Sequence, residues 1–337
     1  MKRYATMLLC LFAAACASTP GGDGGRPDWI DGQSKKYPPA LYLSGQGSAL
    51  TLQDAKDRAR SELAKQFEVA VRERSQQSQT FSSQQAGGET MQSLDQKISR
   101  QLLTYTSRSL QGVQIAEQWR DEANDEHHAL AVLSRGRARH QFEQKIGALD
   151  DQSRQRLRQA EVENALLKRA AFVQQAIAAQ QQRVVVQSSL QVADASGRGI
   201  PPDMSLAELE RSRDALLDRI TLLPTASGEM APDLIDLLSA ASAGAGFKVT
   251  NSIQADYRLF AEALLDPVIE ESGWYWIRGT MQLNLVDNAG NDIGVKRWPL
   301  KASSTSLERT RQRLLSEMDA LLKDELRETL LGFAVKP

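Results

Sequence analysis

Apolar residues at Leu52, Ala55, Ala59, Leu63, Phe67 and Val71 are spaced by three and four, which predicts one face of an amphipathic helix of about six turns. Thr51 is placed as its N-cap, and Asp54, Lys56, Asp57, Arg58, Arg60, Glu62 and Lys65 form its charged face. Before it, residues 41–45 read as a short strand entering a turn at Gly45-Gln46-Gly47. After it, residues 75–96 are rich in Gln and Ser and read as a long loop or a weak extension of the helix. Looser alternation predicts strands over 101–119 and 128–134, joined by a polar turn at 121–126. A helical pattern returns over 135–146.

Residues 151–187 contain no Gly and no Pro and are dense in helix formers, so one long helix is expected, roughly 50 Å if about 35 residues are helical. Its apolar stripe through Leu166, Ala170, Val173 and Ile177 is narrow. That favours a connector packed on its neighbours over a coiled-coil arm. The Gly- and Pro-rich stretch 194–202 is a junction.

Beyond it, helices are predicted at 206–217, 232–241 and 306–331, with Pro232 in a first turn. Strands are predicted at 219–223, 247–250, 256–265, 274–287 and 293–300. Strand 274–287 has the clearest alternation, with Ile277, Met281, Leu283 and Leu285 on one side and Thr280, Gln282 and Asn284 on the other. Residues 287–291 (DNAGN) form its hairpin turn. The whole reads as an α+β protein. Two small sheet-plus-helix domains, 27–150 and 203–337, are joined by a long helix and linker over 151–202.

The N-terminus has its own logic. Lys2 and Arg3 precede an apolar run over 7–15, too short to anchor in a bilayer, and Cys16 ends it. This is the layout of a secretory signal over 1–15. Cleavage there leaves Cys16 as the sole cysteine, which cannot form an internal disulfide. Ala13-Ala14-Ala15-Cys16 resembles a bacterial lipobox, departing from it at Ala13, where Leu is usual. The resemblance implies a lipid (diacylglycerol and palmitate) on Cys16. Ala17, in place of an Asp, then implies sorting to the outer membrane of a Gram-negative envelope. A plain signal peptide leaving a free thiol is the other reading. Residues 16–26 form a Gly-rich tether.

Composition then removes function classes. Of 337 residues, 41 are basic and 42 acidic, a net charge of -1, so no general basic excess exists to hold nucleic acid. Three His and two Cys leave little from which to build a zinc site. No nucleophile elbow or phosphate loop is present, and Gly45-Gln46-Gly47 lacks the third glycine of a dinucleotide fingerprint. His127 and His128 point to opposite faces of a strand, and His140 stands apart. Asp121, Glu122, Asp125 and Glu126 lack the ligand spacing of a calcium loop. Asp256 begins an apolar strand and is expected to bond backbone amides. No catalytic, metal-binding or cofactor-binding residues are therefore assigned. Trp274 and Trp276 share a strand face opposite Ile277 and Met281. They either present an aromatic surface to a partner or are covered as core.

Pro27-x-Trp29, Tyr37-Pro38, Leu43-x-Gly45-x-Gly47, the Ala-rich helix and then residues 129–135 (ALAVLSR) occur in an order that resembles the LPP-twenty lipoprotein family. That resemblance covers about a third of the chain. It implies a bacterial envelope lipoprotein with a small α+β domain, no shared catalytic activity, and links to envelope integrity, flagellar function and surface antigens. Phe247-Lys248-Val249, Ala255-Asp256-Tyr257, a long hairpin and a last helix are similar to the domain of the penicillin-binding-protein activator and curli-secretion lipoproteins and of the TolB N-terminus. The expected function is a non-catalytic periplasmic binding or adaptor protein, with an envelope protein and the membrane as partners. A self-associating structural protein, a homo-oligomer, is the alternative. A cell-wall hydrolase has only scattered carboxylates behind it.

Overall fold

The computed structural model describes residues 26–32, 34–83 and 112–335, with backbone alone over 75–83. Cys16, the signal segment, most of the tether and the 101–111 part of the expected strand lie outside the described residues. Two compact units divide the chain. One takes residues up to Gln66 together with Gly112–Ser134; the other takes those from Phe67 and from Arg135 onward.

The first unit holds α1 (Asp28–Asp31), β1 (Tyr42–Ala49), the start of α2 (Leu52–Ser83), β2 (Gln114–Asp121) and β3 (Glu126–Ser134). The antiparallel sheet has the order β1-β3-β2. Central β3 is buried on both faces from Ala129 to Leu133, and each face has its own cover. On one, Leu130 and Val132 pack with Trp29, beside Tyr37, Tyr42 and Trp119. On the other, Gly45 pairs with Ala131 and Gly47 with Ala129, so the side chains are small. Helix α2 lies against this face through Ala55, Ala59 and Leu63, all buried. A Cβ on Gly45 would lie 2.6 Å from the Ala59 carbonyl oxygen, and one on Gly47 would collide with the Ala59 N–H and Ala55 carbonyl. These glycines were expected in a turn. They stand instead inside β1, where the close approach of the helix backbone leaves no room for a side chain. Thr51 caps α2 as expected, accepting from the Asp54 N–H at 3.2 Å. The helix continues through Ser83, into the segment for which a weak extension was one reading.

In the second unit the expected single middle helix is two. Helix α3 (Arg135–Val162) runs across the anticipated boundary at 150, and α4 (Leu166–Ala193) folds back on it. The break needs no Gly or Pro. The Glu163 carboxylate accepts the N–H groups of Asn164 and Ala165 at 3.0 and 3.1 Å and pairs with Lys168 at 3.0 Å. Antiparallel packing is held by buried Arg183, whose Nε donates to Asp150 at 2.7 Å. Gln180 donates to the same oxygen. Arg183 also donates to the carbonyls of Ile200 and Pro201, pinning the junction. Most of α4 is buried, including Leu167, Val173, Ile177, Val186 and Leu190, so it is a packed connector and not a projecting arm.

Helix α5 (Leu206–Leu217) opens with a complete capping box between Ser205 and Glu208. Then come β4 (Thr221–Ser227), α6 (Ala231–Gly244), β5 (Lys248–Val249), β6 (Tyr257–Leu265), β7 (Ile269–Glu271), β8 (Trp274–Asp287), β9 (Asp292–Ser304) and α7 (Leu307–Ala334). The sheet runs β5-β4-β6-β8, with β9 on the far side of β8, and β7 continues beside β8 where β6 ends. β4 is parallel to β5 and β6, and the β6-β8-β9 part is antiparallel. Pro224 was expected to end its strand, yet it lies within β4. Thr250 donates to the Leu222 carbonyl, so the same edge of residue 224 points past the end of short β5. No donor is needed there.

One sheet face is buried. Leu259, Ala261, Ile277, Met281, Leu283, Leu285, Trp298 and Leu300 pack with Leu234 and Leu238 of α6 and with Leu314, Met318, Leu322 and Leu326 of α7.

Candidate functional site

The opposite face of this sheet is open. Its positions are Arg258, Phe260, Glu262 and Leu264 on β6, alternate residues 274–284 on β8, and alternate residues 295–303 on β9. None of them is buried. Trp274 and Trp276 both lie here, as their parity required, and Trp274 is 43% exposed. They start β8 just after a two-residue turn, Ser272-Gly273, whose φ values of 53° and 75° suit a hairpin of the I′ kind. Trp276 faces Ile269 across the strand pair, and Trp274 faces Glu271. Ile269 is 49% exposed, and Leu264, Leu265 and Val268 are exposed beside it.

Cations adjoin these aromatics. Arg278 stands directly opposite Lys301, and the Lys301 ammonium lies 5.5 Å from the Trp276 ring centroid. Arg297 donates to Gln282 at 2.8 Å. The two Trp residues were evident from the sequence, whereas Ile269, Arg278 and Lys301 were not. Ile269 lies in an unpatterned stretch, Arg278 shares the strand parity of the Trp residues but was not singled out, and Lys301 joins them only once β9 is paired to β8 in register.

The other candidates have structural duties. Asp256 Oδ2 accepts from the N–H and hydroxyl of Thr221 at 2.8 and 2.7 Å, and its own N–H returns a bond at 2.9 Å. It ties β4 to β6, as expected of an acid at a strand start. Asp121 accepts the Ala123 N–H, and Asp125 pairs with Arg120, inside the 121–126 turn. His128 packs on Trp119 at 5.3 Å, and His140 bonds Gln144 at 3.0 Å. Among the described residues no three His, Cys, Asp or Glu side chains are grouped to hold a metal ion. No helix among them is long and apolar enough to cross a membrane. In the first unit an open depression of about 620 Å³ is lined by Ser48, Asp54, Asp57, Arg58, Glu62 and Lys65. Its charges are mixed, and Arg58 is spent on the Ser48 carbonyl.

Fold and site together define an α+β protein with two sheets among the described residues, one of them open on an aromatic and basic face. Residues 27–134 match the model of the LPP20 lipoprotein family, over a stretch that includes β1, β2 and β3. Among solved structures the chain is similar to the secreted protein HP1454 of Helicobacter pylori. That likeness has 12% identity and a TM-score of 0.43, over 87% of this chain and 98% of that one. A minor lipoprotein of Acinetobacter baumannii is 16% identical, with a TM-score of 0.25, over 34% and 90%. Lipoprotein GNA1162 of Neisseria meningitidis is 10% identical, with a TM-score of 0.24, over 32% and 99%. No curated protein matches the chain.

Proposed function

We propose that this lipoprotein is a non-catalytic binding or adaptor protein of the bacterial envelope. It is held at the outer membrane through lipid on Cys16 and acts on the periplasmic side in envelope maintenance, wall-synthesis regulation or appendage assembly. The observation that carries the binding role is the surface of exposed Trp274 and Ile269 with half-buried Trp276, on a sheet face that no helix covers among the described residues. Large aromatics left in water at a pre-formed, rigid surface are the usual anchors of protein recognition. The LPP20 match supports the lipoprotein class.

Two experiments test the reading. Metabolic labelling with palmitate should mark the wild-type chain and fail on Cys16→Ser; equal labelling of both sinks the anchor. In-cell cross-linking from position 274 should enrich one periplasmic assembly, and Trp276→Ala should abolish that enrichment. Capture of only the chain itself would favour self-association instead.

A further inference from the structure

Resting on that partner-binding reading, we infer that the open face of the β6-β8-β9 sheet docks an acidic segment of a partner protein. Its apolar side chains meet Trp274, Trp276 and Ile269, and its carboxylates meet Arg278, Lys301 and Arg297. Arg278 and Lys301 are paired in register on adjacent strands, so two like charges face each other. Such a pair is unfavourable within the free protein and becomes favourable once an anion bridges it. Both are exposed, and among the described residues neither has a carboxylate partner. Lys301 is already placed, lying over Trp276, so little side-chain freedom is lost on binding. Arg297, farther along β9, extends the basic strip on the same face.

The surroundings select a protein over other anions. The Lys301 ammonium lies 5.5 Å from the Trp276 ring centroid, so a sugar stacking on that ring would compete with a cation already placed there. Asp266, whose N–H donates to the Arg278 carbonyl, and Glu270 and Glu271, opposite Tyr275 and Trp274, interrupt the basic strip, which disfavours a uniformly anionic lipid surface and favours a segment that sets its carboxylates on Arg278, Lys301 and Arg297 alone. Ile269, Leu264 and Val268 add aliphatic area that suits Leu or Val of a polypeptide.

The test titrates the full mature protein in detergent with a short peptide alternating glutamate and leucine, followed by calorimetry. Parallel titrations use phosphatidylglycerol vesicles and soluble wall-glycan fragments. The peptide should bind, more weakly as salt rises. Arg278→Ala and Lys301→Ala should each weaken it about tenfold, the loss of one charge-assisted contact. Lys145→Ala, an exposed cation on α3, should leave it unchanged. Near-ultraviolet circular dichroism confirms that each variant is folded. If Trp276→Ala weakens binding while Arg278→Ala and Lys301→Ala do not, the partner surface stands and the acidic occupant is overturned. No peptide binding, or binding indifferent to all three variants, overturns both. Preference for the vesicles or the glycan over the peptide overturns the acidic protein segment.

Discussion

At the scale of single residues, two glycines of the same chain make opposite predictions. A methyl group on Gly47 meets the backbone of α2, which cannot step aside without moving the helix off the sheet. Gly47→Ala should therefore destabilise the protein by about 3 kcal/mol, the upper end for overpacking. Gly147 lies in the middle of α3, exposed, and a methyl group there would meet nothing within 4 Å. Gly147→Ala should stabilise by about 0.5–1 kcal/mol through helix propensity alone. Urea midpoints of the two variants against wild type check both. Equal shifts would refute the contact argument. The Gly-x-Gly pair was visible in the sequence, yet its meaning was not. The same spacing serves a turn or a close helix approach, and only the pairing of Ala129 and Ala131 opposite it decides. Asp256, by contrast, was legible because a carboxylate at a strand start has backbone donors within reach wherever the strand pairs.

Among elements, strand β8 was legible to its end residues because a long strand covered on one face must alternate, and nothing competes with that period. The α3–α4 break was not legible. It is made by a local Glu163 side-chain contact and by tertiary packing, neither of which leaves a Gly or Pro in the sequence. What holds the hairpin closed is testable. Arg183 and Asp150 are 4% and 13% exposed in their side chains, and removing one leaves the other without its charge partner. Arg183→Met should cost about 3 kcal/mol. Arg183→Met combined with Asp150→Asn should recover part of that loss, since the stranded carboxylate is then gone. Denaturant unfolding of the two single variants and the double variant forms the cycle. Strictly additive losses would show that the pair carries no coupling.

For the molecule as a whole, the α+β class was legible from element order, but the make-up of the open face was not. It depends on which strands are neighbours in the second sheet, and that is a long-range fact. The same long-range view gives the response to acid. Among the described residues of the second unit, four carboxyls sit below their ordinary range at turns and helix ends. Asp287 is held down by the Asn291 side chain and N–H groups of its turn, Glu208 by the Ser205 hydroxyl and N–H, Asp194 by Ser196, and Glu163 by the Ala165 N–H and then Lys168. In each, the folded carboxyl titrates below its unfolded value. The stability it adds is fully present above the unfolded pKa, about 4, and is lost as pH falls through the lower folded value. All four are at the surface, so each effect is small and screened by salt. Acting together, they should leave Tm flat from neutral pH to about 5 and make it fall below that. Asp287→Asn and Glu208→Gln should each lower Tm at neutral pH and make the fall in acid shallower, because a group that cannot titrate contributes nothing to the slope. Scanning calorimetry across that range decides the matter: an unchanged acid slope in both variants would mean that these bonds form equally with the protonated side chains and that the acid response arises elsewhere.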